Sequence, residues 1–416
     1  MSFSCIISSG ENDKGSGYVT FVKRLKNLTF KKAVRKCGRF AKKNAVMFVA
    51  LIAAVVTSFF VPIDKEYLGY FDTKTLSCLF VTLAVVCALR NIKFFTILAR
   101  KLVLLTGTLR TLFLMLICIT FIGSMLIAND MALITFLPLG YFALSVTKKE
   151  KYMAYLFILQ NISANLGGML TPFGNPQNLY LYSYYNIDTL EFCSIMLKPF
   201  LLAITLLAVC CLFVKNEKLT INEKFPEKLS IKRTVLYLIL FAISLLVVFR
   251  IVPVLVGLAI VFVTLMIVDR DALCMVDYPL LLTFVFFFIF AGNLARIDEV
   301  KEFFNLLLNK DTLLVSVLSC QFISNVPTAI LLSQFTQDYV PLLIGVNIGG
   351  AGTLIASLAS LITFSEYKLL YPKNTKKYLI LFSVINFAFL IIMTVCSKLF
   401  FVSIRHLSFK KLNLDL

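Results

Sequence analysis

The chain lacks tryptophan, holds a single histidine and carries few charges. Of its 416 residues, 15% are Asp, Glu, Lys or Arg, whereas 59% are hydrophobic. Soluble domains carry about 25% charged residues, so this composition argues against a soluble protein and favours one whose surface faces lipid. Without Trp, we expect Tyr and Phe to occupy the positions at the membrane interfaces that aromatic residues favour.

The reactive side chains are too scattered to suggest an enzyme site. The single His, His406, lies near the C-terminus, and the eleven Cys stand alone except for Cys210-Cys211. No two Cys have the spacing of a metal site, so we interpret them as small apolar residues. There is no Gly-rich P-loop either, which argues against an ATP-driven pump. We expect no enzyme, and a polytopic membrane enzyme or a passive channel remains only as an alternative.

Long apolar runs account for most of the chain. A helix needs about 20 residues to cross a hydrocarbon layer of about 30 Å, and most of the runs approach that length. The runs are Ala45–Pro62, Leu76–Leu89, Thr111–Ala128, Tyr152–Leu170, Cys193–Val214, Val235–Val268, Leu280–Leu294 and Tyr378–Val402. The longest, Val235–Val268, contains Arg250 and Pro253 and could form two short spans. The sequence therefore predicts an all-α, polytopic membrane protein.

The excess of positive charge lies where it orients a chain in a membrane. The formal net charge is +19, and residues 19–44 hold ten Lys or Arg and no acid directly before the first apolar run. Lys and Arg near span ends mark the cytoplasmic side, and basic arms there also meet anionic lipids. We therefore expect a cytoplasmic N-terminus, contact with membrane lipids and no nucleic-acid partner. The arm could form a surface helix or remain a solvated tail.

Polar segments divide the chain into five predicted parts. They are a basic cytoplasmic arm (1–44), a first transmembrane repeat (45–214), a cytoplasmic linker (215–233), an extra span with a second transmembrane repeat (234–402) and a C-terminal tail (403–416). Residues 1–18 lack the apolar core of a cleavable signal peptide. We therefore expect the first span to direct the chain to the membrane.

The two halves share a plan that predicts an internal repeat. An apolar helix breaks at Asn129-Asp130 in the first half and at Ser324-Asn325 in the second, and another apolar arm follows each break. Downstream, ANLGGMLTPFGNPQNL (164–179) aligns without gaps with VNIGGAGTLIASLASL (346–361). Paired interrupted segments in inverted halves mark the binding sites of many transporters. We predict two inverted repeats, each with a re-entrant hairpin and a broken helix; two unrelated glycine patches for helix packing are the alternative.

The breaks supply the polar groups of a candidate binding site. Irregular backbone survives at membrane depth only where it is buried in protein or lines a wet cavity. Carbonyls freed by Gly and Pro, with Asn and Thr oxygens, suit a hard cation such as Na⁺, whereas a restarting helix offers N–H groups to an anion. Asp130 lies in an apolar region, so it is a candidate for binding a proton or a cation. Its alternative role is to cap the second hairpin helix.

These motifs resemble those of the ion transporter superfamily, which includes citrate and dicarboxylate symporters, arsenite permeases and some sodium/proton antiporters. The Asn129-Asp130 tip resembles the arsenite-permease and citrate-transporter branch, and SNVPT (324–328) resembles the Ser-Asn-Thr type of tip in the dicarboxylate branch. GNPQNL (174–179) resembles a bacterial inner-membrane branch usually called anion transporters. The likeness covers roughly residues 45–402.

The resemblance implies a homodimer in the bacterial inner membrane, with a scaffold domain and a transport domain that moves like an elevator. It implies a first cation site formed by Asn129, Asp130, Asn165 and Gly168, and a second formed by Ser324, Asn325, Asn347 and Gly350. It also implies that the substrate is flanked by Thr171, Asn175, Asn178, Thr328 and Thr353, and by the tip residues Asn129 and Asn325. Two features depart from the family: the first tip is Ala-Asn-Asp, and the second broken helix lacks the Pro residues of the first.

The sequence therefore predicts a secondary active transporter of a small anion, such as citrate, a C4-dicarboxylate or an inorganic oxyanion. Moving an anion inward against a negative-inside potential costs about 2.3 kcal/mol per charge per 100 mV, so we expect coupling to Na⁺ or H⁺. A sodium/proton antiporter that uses Asp130 is the main alternative among transporters. No covalent cofactor is expected.

Overall fold

The architecture is that of a computed structural model, which describes residues 44–219 and 229–412. Side chains are described as far as residue 399. The predicted basic arm, apart from its last residue, lies outside the described residues, and so do residues 220–228 of the predicted linker and residues 413–416 of the predicted tail.

Apolar segments form helices, because a helix satisfies its backbone hydrogen bonds within one segment where lipid offers none. The described part of the chain has no β-strand, and Thr108 and Lys218 form an isolated bridge. The helices of the first half are α1 (Ala45–Ser58), α2 (Thr73–Asn91), α3 (Phe94–Val103), α4 (Leu109–Ile127), α5 (Asn129–Val146), α6 (Met153–Gly167), α7 (Pro176–Tyr184) and α8 (Thr189–Leu212).

The second half is also helical. Its helices are α9 (Ile231–Val248), α10 (Val254–Val268), α11 (Arg270–Cys274), α12 (Tyr278–Ala295), α13 (Asp298–Ile323), α14 (Asn325–Leu332), α15 (Tyr339–Ile348), α16 (Leu358–Leu370) and α17 (Thr375–Leu412). Within the described ranges, 8 helices are long and apolar enough to cross a membrane. The chain is thus an all-α, polytopic membrane protein, and this prediction from the sequence is confirmed.

Helix boundaries follow the polar interruptions of the apolar runs. The run Val235–Val268 forms two helices, α9 and α10, which are separated by a turn that contains Arg250 (φ 63°). α13 combines the polar segment after Arg296 with the first arm of the second hairpin, and it is kinked at Asp311 between them. α17 continues beyond Val402, where the sequence predicted the last span to end.

The two halves interlock through the short helices that follow the glycine breaks. In the first half, α7 packs against α14 and α15 of the second half; in the second half, α16 packs against α5 and α6 of the first. Within each half, the helix before the break packs against both hairpin arms: α6 against α4 and α5, and α15 against α13 and α14. The breaks therefore lie where segments of both halves meet.

Aliphatic side chains cover the outer faces of the peripheral helices. Val49 and Ile52 in α1, Leu255 in α10, and Ile380 and Ile391 in α17 are between 61% and 77% exposed. Many exposed aliphatic side chains are unfavourable in water and are expected where lipid is the solvent. The polar residues of the breaks, by contrast, face the interior.

Candidate functional site

Both hairpins turn at a strained residue that precedes an asparagine. Between α4 and α5 the turn residue is Ala128 (φ 64°, ψ 154°), and between α13 and α14 it is Ser324 (φ 74°, ψ 159°). This conformation is almost restricted to glycine and costs other residues about 1–3 kcal/mol. In Asn129 and in Asn325, Oδ1 accepts a hydrogen bond of 2.9 Å from the next backbone N–H. The two tips therefore share one geometry.

The two ends of each hairpin lie close together. The N–H of Leu109, at the start of α4, donates to the carbonyl of Glu217, and Lys149, just after α5, pairs with the Glu217 carboxylate. In the second hairpin, Phe335 follows α14 and stacks on Phe304, which lies in the polar segment of α13. The tips therefore point into the protein, away from these ends. The inverted relation between the two halves stays a prediction.

Glycine allows the broken helices to approach the hairpin arms closely. A Cβ on Gly167 would lie 2.6 Å from Oγ of Ser124, and a Cβ on Gly349 would lie 2.7 Å from Sγ of Cys320. Both distances are far below van der Waals contact, so a side chain here would push the break away from the hairpin. Ser124 and Cys320 each stand five residues before the tip asparagine. The two breaks therefore contact their hairpins in the same register.

Threonines just beyond the breaks bond the same hairpin arms. The hydroxyl of Thr171 donates to the carbonyl of Met125 at 2.9 Å, and the hydroxyl of Thr353 donates to the carbonyl of Gln321 at 3.0 Å. Met125 and Gln321 each stand four residues before the tip asparagine. The sequence placed both threonines beside the substrate, and the structure shows their hydroxyls engaged with the backbone of the hairpins.

Six asparagine side chains from both halves lie together in the interior, and we call them the amide cluster. Five of them are linked by hydrogen bonds, and Asn325 adjoins them across Gly350. Its members are Asn129, Asn165, Asn175, Asn178, Asn325 and Asn347, none of which is more than 4% exposed. In the first half, Nδ2 of Asn129 donates to Oδ1 of Asn165 at 3.3 Å. Between the halves, Nδ2 of Asn175 donates to Oδ1 of Asn347 at 3.2 Å, and Nδ2 of Asn347 donates to Oδ1 of Asn178 at 2.6 Å.

The two glycines predicted as cation ligands lie against this cluster. A Cβ on Gly350 would be 3.1 Å from Nδ2 of Asn325 and 3.5 Å from Oδ1 of Asn165, so Gly350 lies between residues of both halves. A Cβ on Gly168 would be 2.5 Å from Oδ1 of Asn175. The two predicted cation sites therefore adjoin, and their residues contribute to one continuous cluster.

Three of the predicted residues donate hydrogen bonds to backbone carbonyls. The hydroxyl of Ser324 donates to the carbonyl of Ala356 at 3.3 Å, and the hydroxyl of Thr328 donates to the carbonyl of Ser324 at 2.7 Å. Nδ2 of Asn178 donates to three carbonyls of the first break, at 3.1 to 3.3 Å. The carbonyls that accept from Ser324 and Asn178 belong to the two breaks, where a broken helix leaves them without helical partners, so these two side chains stabilise the breaks. Thr328 instead bonds the turn residue of its own hairpin.

Two buried oxygens of the site, Oδ1 of Asp130 and Oδ1 of Asn175, have no hydrogen-bond partner among the described residues. Asp130 does not cap α5, because the helix begins at Asn129 and its N-cap residue is Ala128. An unpaired buried acceptor costs about 1–3 kcal/mol. A proton would remove the charge of Asp130, whereas a hard cation held by carboxylate, amide and carbonyl oxygens would give the unpaired oxygens a partner.

Polar residues that belong to no recognised motif also lie next to the cluster, inside the spans. Nδ2 of Asn161 in α6 donates to Oγ of Ser360 in α16 at 3.2 Å, which is a further contact between the halves. Nε2 of Gln321 donates to two carbonyls of the second break, much as Asn178 does in the first. A buried amide inside an apolar helix is itself a signal, because it needs a partner.

The sequence is similar to those of known membrane transporters. The citrate transporter family model matches residues 40–343. An uncharacterized transporter of Methanocaldococcus jannaschii is 34% identical over 335 residues, which are 80% of this chain and 91% of the relative. The inner membrane protein YbiR of Escherichia coli is 28% identical over 322 residues, which are 75% of this chain and 85% of the relative. This chain belongs to the citrate transporter family and is a multi-pass membrane transporter.

Proposed function

We propose that the protein is a secondary active transporter that carries a small anion together with Na⁺ or H⁺. The anion is citrate or another small carboxylate, or an inorganic oxyanion. The observation that carries this proposal is the convergence of two hairpin tips and two broken helices on the buried amide cluster. Irregular backbone of this kind lines binding cavities at membrane depth, and membership of the citrate transporter family supports the choice of an anion.

The helices that restart after the breaks are suited to bind the anion. α7 starts at Pro176, directly after Asn175, and α16 starts at Leu358, close to the carbonyl of Ala356 that accepts the N–H of Asn325 at 2.9 Å. The first N–H groups of a helix and its dipole attract negative charge. No Lys or Arg belongs to the amide cluster, so the anion would rely on amides, helix starts and a bound cation.

We propose that the coupling cation binds beside Asp130. Oδ1 of this residue is buried without a partner, and the neighbouring Asn129 bonds Asn165 of the first broken helix. Val326 stands at the corresponding position of the second tip, so the first tip alone offers a carboxylate. A cation held here would neutralise part of the anion's charge, and it would offset the cost of moving that charge inward against the membrane potential.

Alternating access is proposed to be an elevator-type movement of the hairpins together with the broken helices. The contacts Thr171–Met125 and Thr353–Gln321 tie each break to its hairpin, which supports their movement as one unit. We further propose a homodimer in the bacterial inner membrane with a cytoplasmic N-terminus. The Escherichia coli relative is named an inner membrane protein, which supports that location.

A sodium/proton antiporter is the second candidate, and Asp130 is the observation that favours it. Exchange of Na⁺ for H⁺ needs one buried carboxylate that binds either ion in turn, and Asp130 offers a buried oxygen without a partner. Under this mechanism the ions alone are transported, and no anion changes the rate.

The test is transport of labelled citrate, succinate and sulfate into proteoliposomes that contain the purified full-length protein. Each anion is tested with a Na⁺ gradient, with a proton gradient and with neither. We expect uptake of one anion class to rise at least several-fold with one of the two gradients. Proton movement driven by Na⁺ without any anion would establish antiport instead, and absence of all these fluxes would overturn both candidates.

A further inference from the structure

A cavity of about 270 Å³ lies beside the first hairpin, outside the amide cluster. Its walls are the end of α2, the helix α3, and α5, which is the second arm of the first hairpin. None of the residues that line it belongs to the hairpin tips or to the glycine breaks. The cavity is therefore a separate feature from the proposed transport site.

Cationic side chains dominate the polar lining of this cavity. Arg90, Lys93 and Arg100 contribute three positive charges, and Thr96 and Thr135 contribute hydroxyls. Guanidinium groups match carboxylate and phosphate oxygens in geometry as well as charge, and a concave, partly apolar wall concentrates their field.

One contact links the cavity to the first hairpin, and Lys93 lines the cavity at the turn between α2 and α3 with a φ of 56°. Nη1 of Arg90 lies 3.7 Å from Sδ of Met131, the residue that follows Asp130. The cavity therefore contacts the hairpin, through one of its cations, one residue away from the carboxylate of the tip.

We propose that this cavity is a second anion site, which binds a multivalent oxyanion through Arg90, Lys93 and Arg100. Ligand pockets for drug-sized molecules start at about 300 Å³, so the cavity suits a small ligand with a few carboxylate, sulfate or phosphate groups. Such oxygens could come from a solute or from the head group of an anionic lipid, and both sources present the same chemistry. The proposal does not depend on which ion the amide cluster transports.

Isothermal titration of the full-length protein in neutral detergent, with citrate and with sulfate at low salt, tests the site. Arg100→Gln and Lys93→Asn should each weaken binding about tenfold, because each removes a charge-assisted contact. Lys148→Asn is a matched control for Lys93→Asn: Lys148 is also exposed, has a φ of 55° and does not line the cavity. Lys101→Gln is the control for Arg100→Gln, and neither control should change the affinity.

The same titration in Asn129→Ala and Asn325→Ala separates this site from the amide cluster. Binding that persists in both variants and weakens with Arg100→Gln supports the second site. If binding is lost in the two Asn variants and is unchanged by Arg100→Gln, the proposal of a second site is wrong. The titration measures binding and requires no transport. It therefore tests the second site even if the proposed transport function is wrong.

Nanodiscs with and without phosphatidylglycerol distinguish the two sources of the anion. Competition between phosphatidylglycerol and citrate that is abolished by Arg100→Gln would identify a lipid head group as the occupant. Citrate or sulfate binding that is unaffected by this lipid would identify a solute. If Arg100→Gln and Lys101→Gln behave alike towards citrate, sulfate and the lipid, the proposal is wrong.

Discussion

Asn347 donates a hydrogen bond of 2.6 Å to Asn178, and this pair joins the second broken helix to the helix that follows the first break. Both side chains are completely buried. Asn347 also accepts a hydrogen bond from Asn175, so one amide contacts two residues of the other half. Because hydrogen bonds are directional and apolar contacts are not, these amides define how the two halves align.

Replacing Asn347 by Ala should impair both stability and transport. The change leaves Oδ1 of Asn178 without its partner, and an unsatisfied buried group costs about 1–3 kcal/mol. Thermal unfolding in detergent and anion uptake measure the two effects. Asn386→Ala is the control, since Asn386 is equally buried but bonds the carbonyl of Phe382 in its own helix. We expect the control to retain transport, and similar loss of transport in both variants would contradict a specific role for Asn347.

Substituting Ala at Gly167 should separate the first broken helix from the hairpin arm. The new Cβ would lie 2.6 Å from Oγ of Ser124, and overpacking of this kind typically costs about 1–3 kcal/mol. We expect a lower unfolding temperature and reduced transport. Gly107→Ala is the matched control, because a Cβ there meets no atom within 4 Å. Wild-type stability in Gly167→Ala would show that the close approach is not needed.

Asp130→Asn should remove the effect of the coupling cation while preserving the shape of the first tip. We expect stabilisation by Na⁺ or by protonation to disappear and anion uptake to fall at least tenfold. Unfolding temperatures measured with Na⁺ and with choline, at two pH values, report the first effect. Asp298→Asn is the control because it neutralises an exposed acid at the start of α13. Unchanged cation dependence in Asp130→Asn would exclude this carboxylate from coupling.

Acid should weaken the contact between Asp64 and Arg296, which ties the loop after α1 to the end of α12. The guanidinium donates to both carboxylate oxygens, at 3.0 and 2.6 Å, and it holds the pKa of Asp64 below the usual value of 3.8. A lowered folded-state pKa stabilises the fold above the unfolded-state pKa, and this stabilisation is lost as the pH falls through the folded-state pKa. The effect should be small because the pair is exposed.

Arg296→Gln tests this acid response. The variant should lose less stability than the wild type when the pH is lowered from about 5 to about 2. Lys65→Gln, which removes an exposed neighbouring charge, should retain the wild-type response. Identical acid profiles for the wild type and Arg296→Gln would rule out a contribution from this pair.

The sequence by itself determined the class of protein and the position of each break. Apolar runs, and interruptions such as Asn129-Asp130 and Gly167-Gly168, are local properties of the chain, and a helix forms or ends because of its nearest residues. The alignment of Thr171 with Thr353 was also readable from the sequence, and the structure gives both threonines the same contact with their hairpins.

Only the tertiary structure decided which polar atoms meet. From the sequence, Asn347 was assigned to a second cation site with Asn325, but its side chain bonds Asn175 and Asn178 of the other half. The cavity beside α5 was equally invisible, because Arg90 and Arg100 read as ordinary basic residues near the end of a span. Such partners lie up to 172 positions apart in the chain. No local pattern encodes them, because they meet only when one half packs against the other.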